Sequence, residues 1–266
     1  MHVHFLDPFH ARQSVVHQAD PRVKLVLTLA FILTCALLPA GAWAEYLLLL
    51  ALVWSLGILS TLGISFLLKR ALLAVPFVLA ALPLLFTVNG PPLLSSHIGS
   101  VPVVITQPGW IRFSSLAVKS WLSIQAALLL TATTSFPDLL VALRAIKMPR
   151  LLVAIAGLMW RYLFILVDEA GRLIRARESR SAQAEIPGMH TGGSWSWRAR
   201  VTGGMAGSLF LRGYERSDRV YLAMLARGYD GEPRSLPLPH LLHSQRRLLY
   251  IGLAALLLIT LLGILD

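Results

Sequence analysis

The sequence predicts an all-α polytopic membrane protein, with about five transmembrane helices and a cytoplasmic helical region between the fourth and the last. Three observations carry that prediction. The 266-residue chain is 56% hydrophobic and only 14% charged, whereas a soluble domain covers itself with roughly 25% charged residues; its mean hydropathy is +0.68. Several apolar runs approach or exceed the roughly 17–25 residues that cross a bilayer. The basic residues are also unevenly placed: 17 of the 24 Lys and Arg fall between Pro137 and Arg247, and Arg112 alone lies between Val88 and Ser115. Basic residues gather in this way on the cytoplasmic side of a membrane. The net charge of +11 therefore follows topology, and no nucleic-acid recognition module accompanies it.

The N-terminus, MHVHFLDPFHARQSVVHQAD, lacks the basic start, apolar core and cleavage site of a signal peptide. Asp20-Pro21 reads as an N-cap with proline at the first helical position. The first span then covers Leu25–Leu38, with Arg22 and Lys24 at its cytoplasmic end, and stops at Pro39-Ala40-Gly41. Trp43–Leu62 is the second span, with Trp43 and Tyr46 suited to the interface. Lys69 and Arg70 mark the return to the basic side. Ala71–Val88 is the third span, and Pro76 and Pro83 bend it.

Asn89–Gly109 is a loop in which Ile98–Thr106 makes a short re-entrant or interfacial piece. Ser115–Thr134 is the fourth span; its Lys119 is expected to snorkel to the headgroups. The segment PDLLVALRAIKMPR reads as a short amphipathic helix stopped by Met148-Pro149.

Leu151–Val167 is apolar enough to span, but Arg161 lies in its middle. Spanning would also carry ten basic residues, Arg172 through Arg227, to the opposite side. It is read as the front of one long helix, Pro149–Ala184, buried against the membrane helices and emerging at Asp168; a sixth span is the alternative. Trp197–Arg212 is weakly helical, and Glu215–Arg227 is a better helix with Val220, Met224 and Leu225 near one face. Gly228 supplies its stop. Leu248–Leu265 is the last span. The expected domains are therefore 1–134 (tail and four spans), 135–247 (cytoplasmic helices) and 248–266 (last span).

The chemistry encoded is sparse. There is no GxxxxGK[ST] phosphate loop, GxSxG, HExxH or CxxC, and the single Cys35 offers neither a disulfide framework nor a thiolate metal site. No Asp or Glu is convincingly placed at membrane depth, where an ion-coupled carrier keeps its ionisable groups. His2, His4 and His10 are of a type that binds transition metals, but scattered on a tail they define no metal site. Two arginine motifs stand out, Ser179-Arg180-Ser181 and Ala226-Arg227-Gly228, 47 residues apart. Each lies at or near the end of a predicted helix, and arginine offers a planar fork of donors between small neighbours. On residue chemistry alone they are either a docking surface or surface arginines in salt bridges or near anionic headgroups.

Longer stretches carry a resemblance. Leu6-Asp7-Pro8, Asp20-Pro21-Arg22-Val23-Lys24-Leu25, the run PDLLVALRAIKMPRLLVAIAGLMWRYLFILVDEAGRLIRARESR, and RSDRVYLAMLARGYDG from Arg216 to Gly231 resemble the transmembrane T component of energy-coupling factor (ECF) transporters, in its cobalt-type CbiQ branch. The resemblance implies a non-enzymatic scaffold in a prokaryotic inner membrane, with cytoplasmic coupling helices that end in X-Arg-X motifs. It implies two partner ATP-binding subunits that carry the ATP and Mg²⁺, and a separate substrate-binding membrane subunit; this chain binds no cofactor or metal of its own. Carried over, Arg227 in Ala226-Arg227-Gly228 is one coupling arginine. Arg180 in Ser179-Arg180-Ser181 is the other, with Arg177 in Ala176-Arg177-Glu178 as its rival. The expected function is the coupling subunit of an ATP-driven importer for a transition-metal cation, cobalt ahead of nickel. The alternatives are a T component serving a vitamin-binding partner, and a self-sufficient divalent-cation channel or carrier.

Overall fold

The computed structural model describes residues 9–10, 12–98, 101–180, 194–230 and 240–265, with backbone alone for 94–98 and 101–105. The architecture is all-α apart from one hairpin, and it is that of a multi-pass membrane protein. Among the described residues, four helical stretches are long and apolar enough to cross a bilayer: Ile64–Thr87, Gln107–Thr133, Arg150–Arg180 and His243–Leu265. The chain divides into two compact units, His4–Ile146 with Leu238–Asp266, and Lys147–Pro237. The breaks fall after residues 146 and 237.

The membrane unit begins with α1 (Val15–Gln18), capped by Ser14, and α2 (Pro21–Leu37), where the Asp20 carboxylate accepts from the Arg22 amide at 2.9 Å. His10 and Arg12, among the described residues before α1, are held against later segments. The His10 amide donates to Ala132 O, the His10 ring meets Phe66 edge-on, and Arg12 donates to Thr61 O. His2 and His4 lie outside the described residues. After a turn at Gly41, α3 runs Trp43–Leu59. Its Glu45 is buried, a packed acid that the sequence reading passed over. Placed in the first turn, its carboxylate faces the positive end of the helix dipole.

The third span starts earlier and is more broken than predicted. It consists of α4 (Ile64–Ala71), a 3₁₀ turn (Leu72–Ala74), α5 (Val75–Ala80) and α6 (Leu84–Thr87). Lys69 and Arg70 therefore lie inside α4, where the Arg70 guanidinium sits 4.5 Å over the Phe66 ring. Pro76 and Pro83 fall at the interruptions, because proline lacks the amide that continues a helix. The following stretch is no re-entrant piece. β1 (Pro92–Ile98) pairs antiparallel with β2 (Val101–Thr106), with an irregularity between Pro92 and Leu94. The β-branched run Val101, Val103, Val104, Ile105, Thr106 favours a strand.

α7 (Gln107–Thr133) is the longest helix of this unit, and α8 (Phe136–Ala145) follows, with Ser135 accepting from the Asp138 amide. Helix α8 packs against α2 and so belongs with the spans. The core joins α2, α3, α4, α7 and the last helix through Phe31, Cys35, Leu49, Val53, Leu67, Leu122, Leu256 and Ile259.

α2 and α7 are tied by two lysines placed reciprocally. Lys24, in the first turn of α2, donates to Thr133 O at the end of α7 at 2.8 Å; Lys119, inside α7, donates to Leu38 O at the end of α2. Both separations, 24 to 38 and 119 to 133, are 14 residues, so the two helices lie antiparallel and in matched register. Each ammonium satisfies carbonyls that a helix end leaves open and sits at the negative end of the dipole. Lys119 is therefore a cap, not the headgroup-seeking lysine expected.

In the other unit, α9 (Arg150–Arg180) and α10 (Trp195–Ala226) are single helices of 31 and 32 residues. Helix α9 is one long helix, as expected, but none of its residues is buried; Leu151, Ile155 and Met159 are exposed. The two segments expected between Trp197 and Arg227 merge into α10, since no proline interrupts them and Gly203, Gly204 and Gly207 are tolerated without a break. α11 (His243–Leu265) closes the chain in the membrane unit.

Candidate functional site: paired helices with arginine ends

Helices α9 and α10 form an antiparallel pair. Glu169 meets Arg212, Leu166 lies beside Gly213, and Leu158 shares a groove with Met224 and Tyr229. As the α9 number falls, the α10 number rises. Residues 158, 162, 165 and 166 recur at helical spacing and form one wall of the groove; Val220, Tyr221 and Met224 form the other, around about 350 Å³. The apolar stripe read for Glu215–Arg227 is this wall, although Leu225 points outward. On the polar face, Arg219 pairs with Glu215 across one turn at 3.9 Å.

One acid joins the pair. Glu169 Oε1 accepts from Arg212 Nη1 at 2.7 Å, and Oε2 has Arg172 Nη2 at 3.4 Å and Arg216 Nη2 at 3.9 Å. Its side chain is 14% exposed, against 57% for Arg212. The hydrogen bond from Arg212, with the charges of the three guanidiniums, holds this carboxyl below the usual glutamate range. The sequence reading named no role for Glu169; the legible signal was an acid one turn before Arg172 within an arginine-rich helix.

The end of α10 explains the form of its motif. Gly228 adopts φ +81°, a left-handed conformation that costs a side chain little only when it is absent. The Gly228 amide donates to Leu225 O at 2.9 Å and the Tyr229 amide to Met224 O at 3.0 Å. These are the two bonds of a Schellman stop, with Tyr229 and Met224 supplying its usual apolar contact. Ala226 thus ends the helix, Arg227 is its cap residue, and all three motif residues are exposed.

At the end of α9, Arg180 is the last helical residue and is exposed, whereas Arg177 is half-buried. The Ser179 hydroxyl bonds back to Ala176 O at 3.0 Å. Ser181 lies outside the described residues. Both arginine ends are carbonyl ends of helices, where cations are favoured. Arg180 lies 11 residues beyond Glu169, and Arg227 lies 15 beyond Arg212. Because the helices run oppositely, at 1.5 Å per residue the two arginines stand about 30–40 Å apart, on opposite sides of the crossing.

A family profile described as cobalt transport protein, CbiQ, matches residues 12–237. The chain belongs to the CbiQ family. Among its relatives, the energy-coupling factor transporter transmembrane protein EcfT of Brevibacillus brevis is 30% identical over 238 residues, covering 82% of each chain. The protein of the same name from Listeria innocua is 28% identical over 228 residues, also 82% of each. The cobalt transport protein CbiQ of Salmonella typhimurium is 27% identical over 234 residues, 85% of this chain and 97% of its own. The CbiQ match thus runs through both units.

Proposed function

We propose that this CbiQ-family chain is the transmembrane coupling subunit of an ATP-driven ECF-type importer for a transition-metal cation, with Co²⁺ ahead of Ni²⁺. Arg227 and Arg180 each dock one ATP-binding subunit on the cytoplasmic side, and a separate membrane subunit binds the substrate. ATP and Mg²⁺ belong to the ATPases. The observation that carries the reading is the placement of two exposed arginines at opposite ends of one antiparallel pair. Two ends about 30–40 Å apart suit two separate subunits better than one shared site. Exposure favours Arg180 over Arg177 as the first docking arginine. Family membership and the relatives named cobalt transport protein favour the metal.

A guanidinium aimed from a helix end gives its partner bidentate, charge-assisted hydrogen bonds. Movement of the docked subunits then passes to α9 and α10 as rigid levers, the contiguous two-arrangement element that such transfer requires. The test is copurification of the tagged chain with its genomic neighbours, followed by ⁵⁷Co²⁺ and ⁶³Ni²⁺ uptake. Two ATPase copies with a substrate-binding membrane subunit, and cobalt uptake, are expected. A vitamin-binding partner would overturn the substrate, and cation flux by this chain alone in vesicles would overturn the coupling role.

A further inference from the structure

Glu169 sits where α9 and α10 touch, and the sequence of α10 around it repeats at a spacing of one turn. Arg212-Gly213 is followed four residues later by Arg216-Ser217. Arg212 holds Oε1 of the carboxylate closely at 2.7 Å, and Arg216 pairs with Oε2 only loosely, at 3.9 Å. Gly213 lies against Leu166, whose Cδ2 would be 3.7 Å from a Cβ at that position, and Ser217 lines the same groove.

We infer that Glu169 is the positioning residue of the α9–α10 pair and that α10 offers it two seats, Arg212-Gly213 and Arg216-Ser217, one helical turn apart. Each seat combines a guanidinium for the carboxylate with a small residue for Leu166. The neighbouring turns offer neither. One turn back, Ser208 and Leu209 replace the arginine and the small residue; one turn beyond, Val220 and Tyr221 do so. A slide of α10 therefore has two stops and no third. Moving from the first to the second carries Arg227 about 6 Å toward the crossing. Arg180 then lies 11 residues past Glu169, and Arg227 lies 11 past Arg216, so the two arms become equal. One-turn shifts of one packed element past another are an established kind of switching step.

The inference rests on the reading of these helices as coupling levers, and the experiment separates the two. Cys35 is the single cysteine, so a Cys35→Ala background accepts two designed pairs: Leu166→Cys with Gly213→Cys, and Leu166→Cys with Ser217→Cys. In membranes holding the chain with its co-expressed ATPases, the 166–213 cross-link is expected to dominate without nucleotide. ATP with vanadate is expected to raise the 166–217 yield about two- to fivefold, the scale of exchanging one solvent-facing ion pair. Arg216→Gln should abolish that gain while the 166–213 cross-link persists as proof of folding, and Arg216→Lys should restore it. No gain in the 166–217 yield, or a gain that survives Arg216→Gln, overturns the two-seat device. Failure of the ATPases to copurify overturns the functional reading instead. The device is then decided in the chain alone: both cross-links, with Arg216→Gln suppressing the 166–217 one, support it, and the 166–213 cross-link by itself overturns it.

Discussion

The two units are held together by different physics. In the membrane unit, residues from five helices bury a shared core, and both ends of the α2–α7 pair are closed by lysines. In the paired-helix unit none of the described residues of α9 or α10 is buried; what joins them is a half-open groove and one carboxylate among arginines. The first unit resembles a finished body. The second exposes Leu158, Met159, Phe210, Tyr214, Tyr221 and Leu222, a density of apolar surface that marks interaction sites. If the pair acts as the proposed lever, it must have few internal restraints to move, and low local burial is what permits that. The contrast predicts that substitutions in the first unit change stability, whereas those in the second change coupling.

The largest expected effect tests the lever. Arg227→Ala removes an exposed cation from a helix end that contributes nothing to any core. Loss of an arginine anchor from an interface costs about 2–4 kcal/mol, so ATPase affinity should fall by roughly two orders of magnitude while the thermal midpoint of the chain in detergent stays unchanged. Unimpaired assembly and transport would remove Arg227 from the docking site. Arg180→Ala should behave alike, and Arg177→Ala should not.

The next effect tests the body. Gly252 of α11 faces Leu27 of α2 so closely that a Cβ there would come within 2.6 Å of Leu27 Cδ2. Small residues let membrane helices approach in this way. Gly252→Leu should cost about 1–3 kcal/mol through overpacking, read as a lower melting temperature of the membrane unit with ATPase affinity unchanged in the surviving fraction. An unaltered melting temperature would mean that the α2–α11 seam is not a stabilising contact.

Gly228→Ala should have a smaller effect again. A Cβ there meets no neighbouring atom, so space is not the constraint. The positive φ is, at about 1–2 kcal/mol for an L-residue. Helix α10 should fray at its end and disorder Arg227, lowering ATPase affinity about three- to tenfold without touching the arginine itself. Normal affinity would show that the Schellman stop is not what aims Arg227.

Sequence reasoning caught the periodic features and missed those that depend on neighbours. The start of α2 at Asp20-Pro21, the unity of α9 through Arg161, and the Gly228 stop were legible because each is a local rule. The third span was misread because Lys69 and Arg70 looked like a connection; inside α4, Arg70 stacks on Phe66 one turn away. The hairpin was hidden by its Pro- and Ser-rich first strand, although Val101–Thr106 carried the β-branched signal. Lys119 needed α2 beside it before its role was visible, and Glu169 needed Arg212, 43 residues later. Pairing across helices is set by register, and no single stretch contains it.

The reciprocal lysines give a prediction of intermediate size. Lys119→Met keeps the stem of the side chain and removes the donor to Leu38 O. Losing a charged hydrogen bond at a helix end costs about 1–2 kcal/mol. Lys24→Met removes the matching donor to Thr133 O. The two bonds lie at opposite ends of the same helix pair, so the double variant should be close to additive. A double variant no worse than either single one would mean that the lysines act as one unit, and that α2 and α7 slide together once either end is released.

The smallest expected effect returns to the paired helices. Arg212, Arg172 and Arg216 hold the Glu169 carboxyl below its ordinary range. A carboxyl whose folded-state pKa is depressed contributes its full stabilisation above the ordinary glutamate value and loses it as pH falls through the lowered one. Cross-linking by thiols itself slows in acid, because the thiolate reacts, so the 166–213 yield is read at each pH as a ratio to that of Glu169→Gln. That ratio should exceed one at neutral pH, hold down to the ordinary glutamate value and fall toward one only below it. Screening by salt should mimic the substitution, since the arginines around Glu169 face solvent. A ratio that ignores both acid and salt would assign the register to the Leu166–Gly213 packing alone. The lever would then be joined by the same physics as the membrane body.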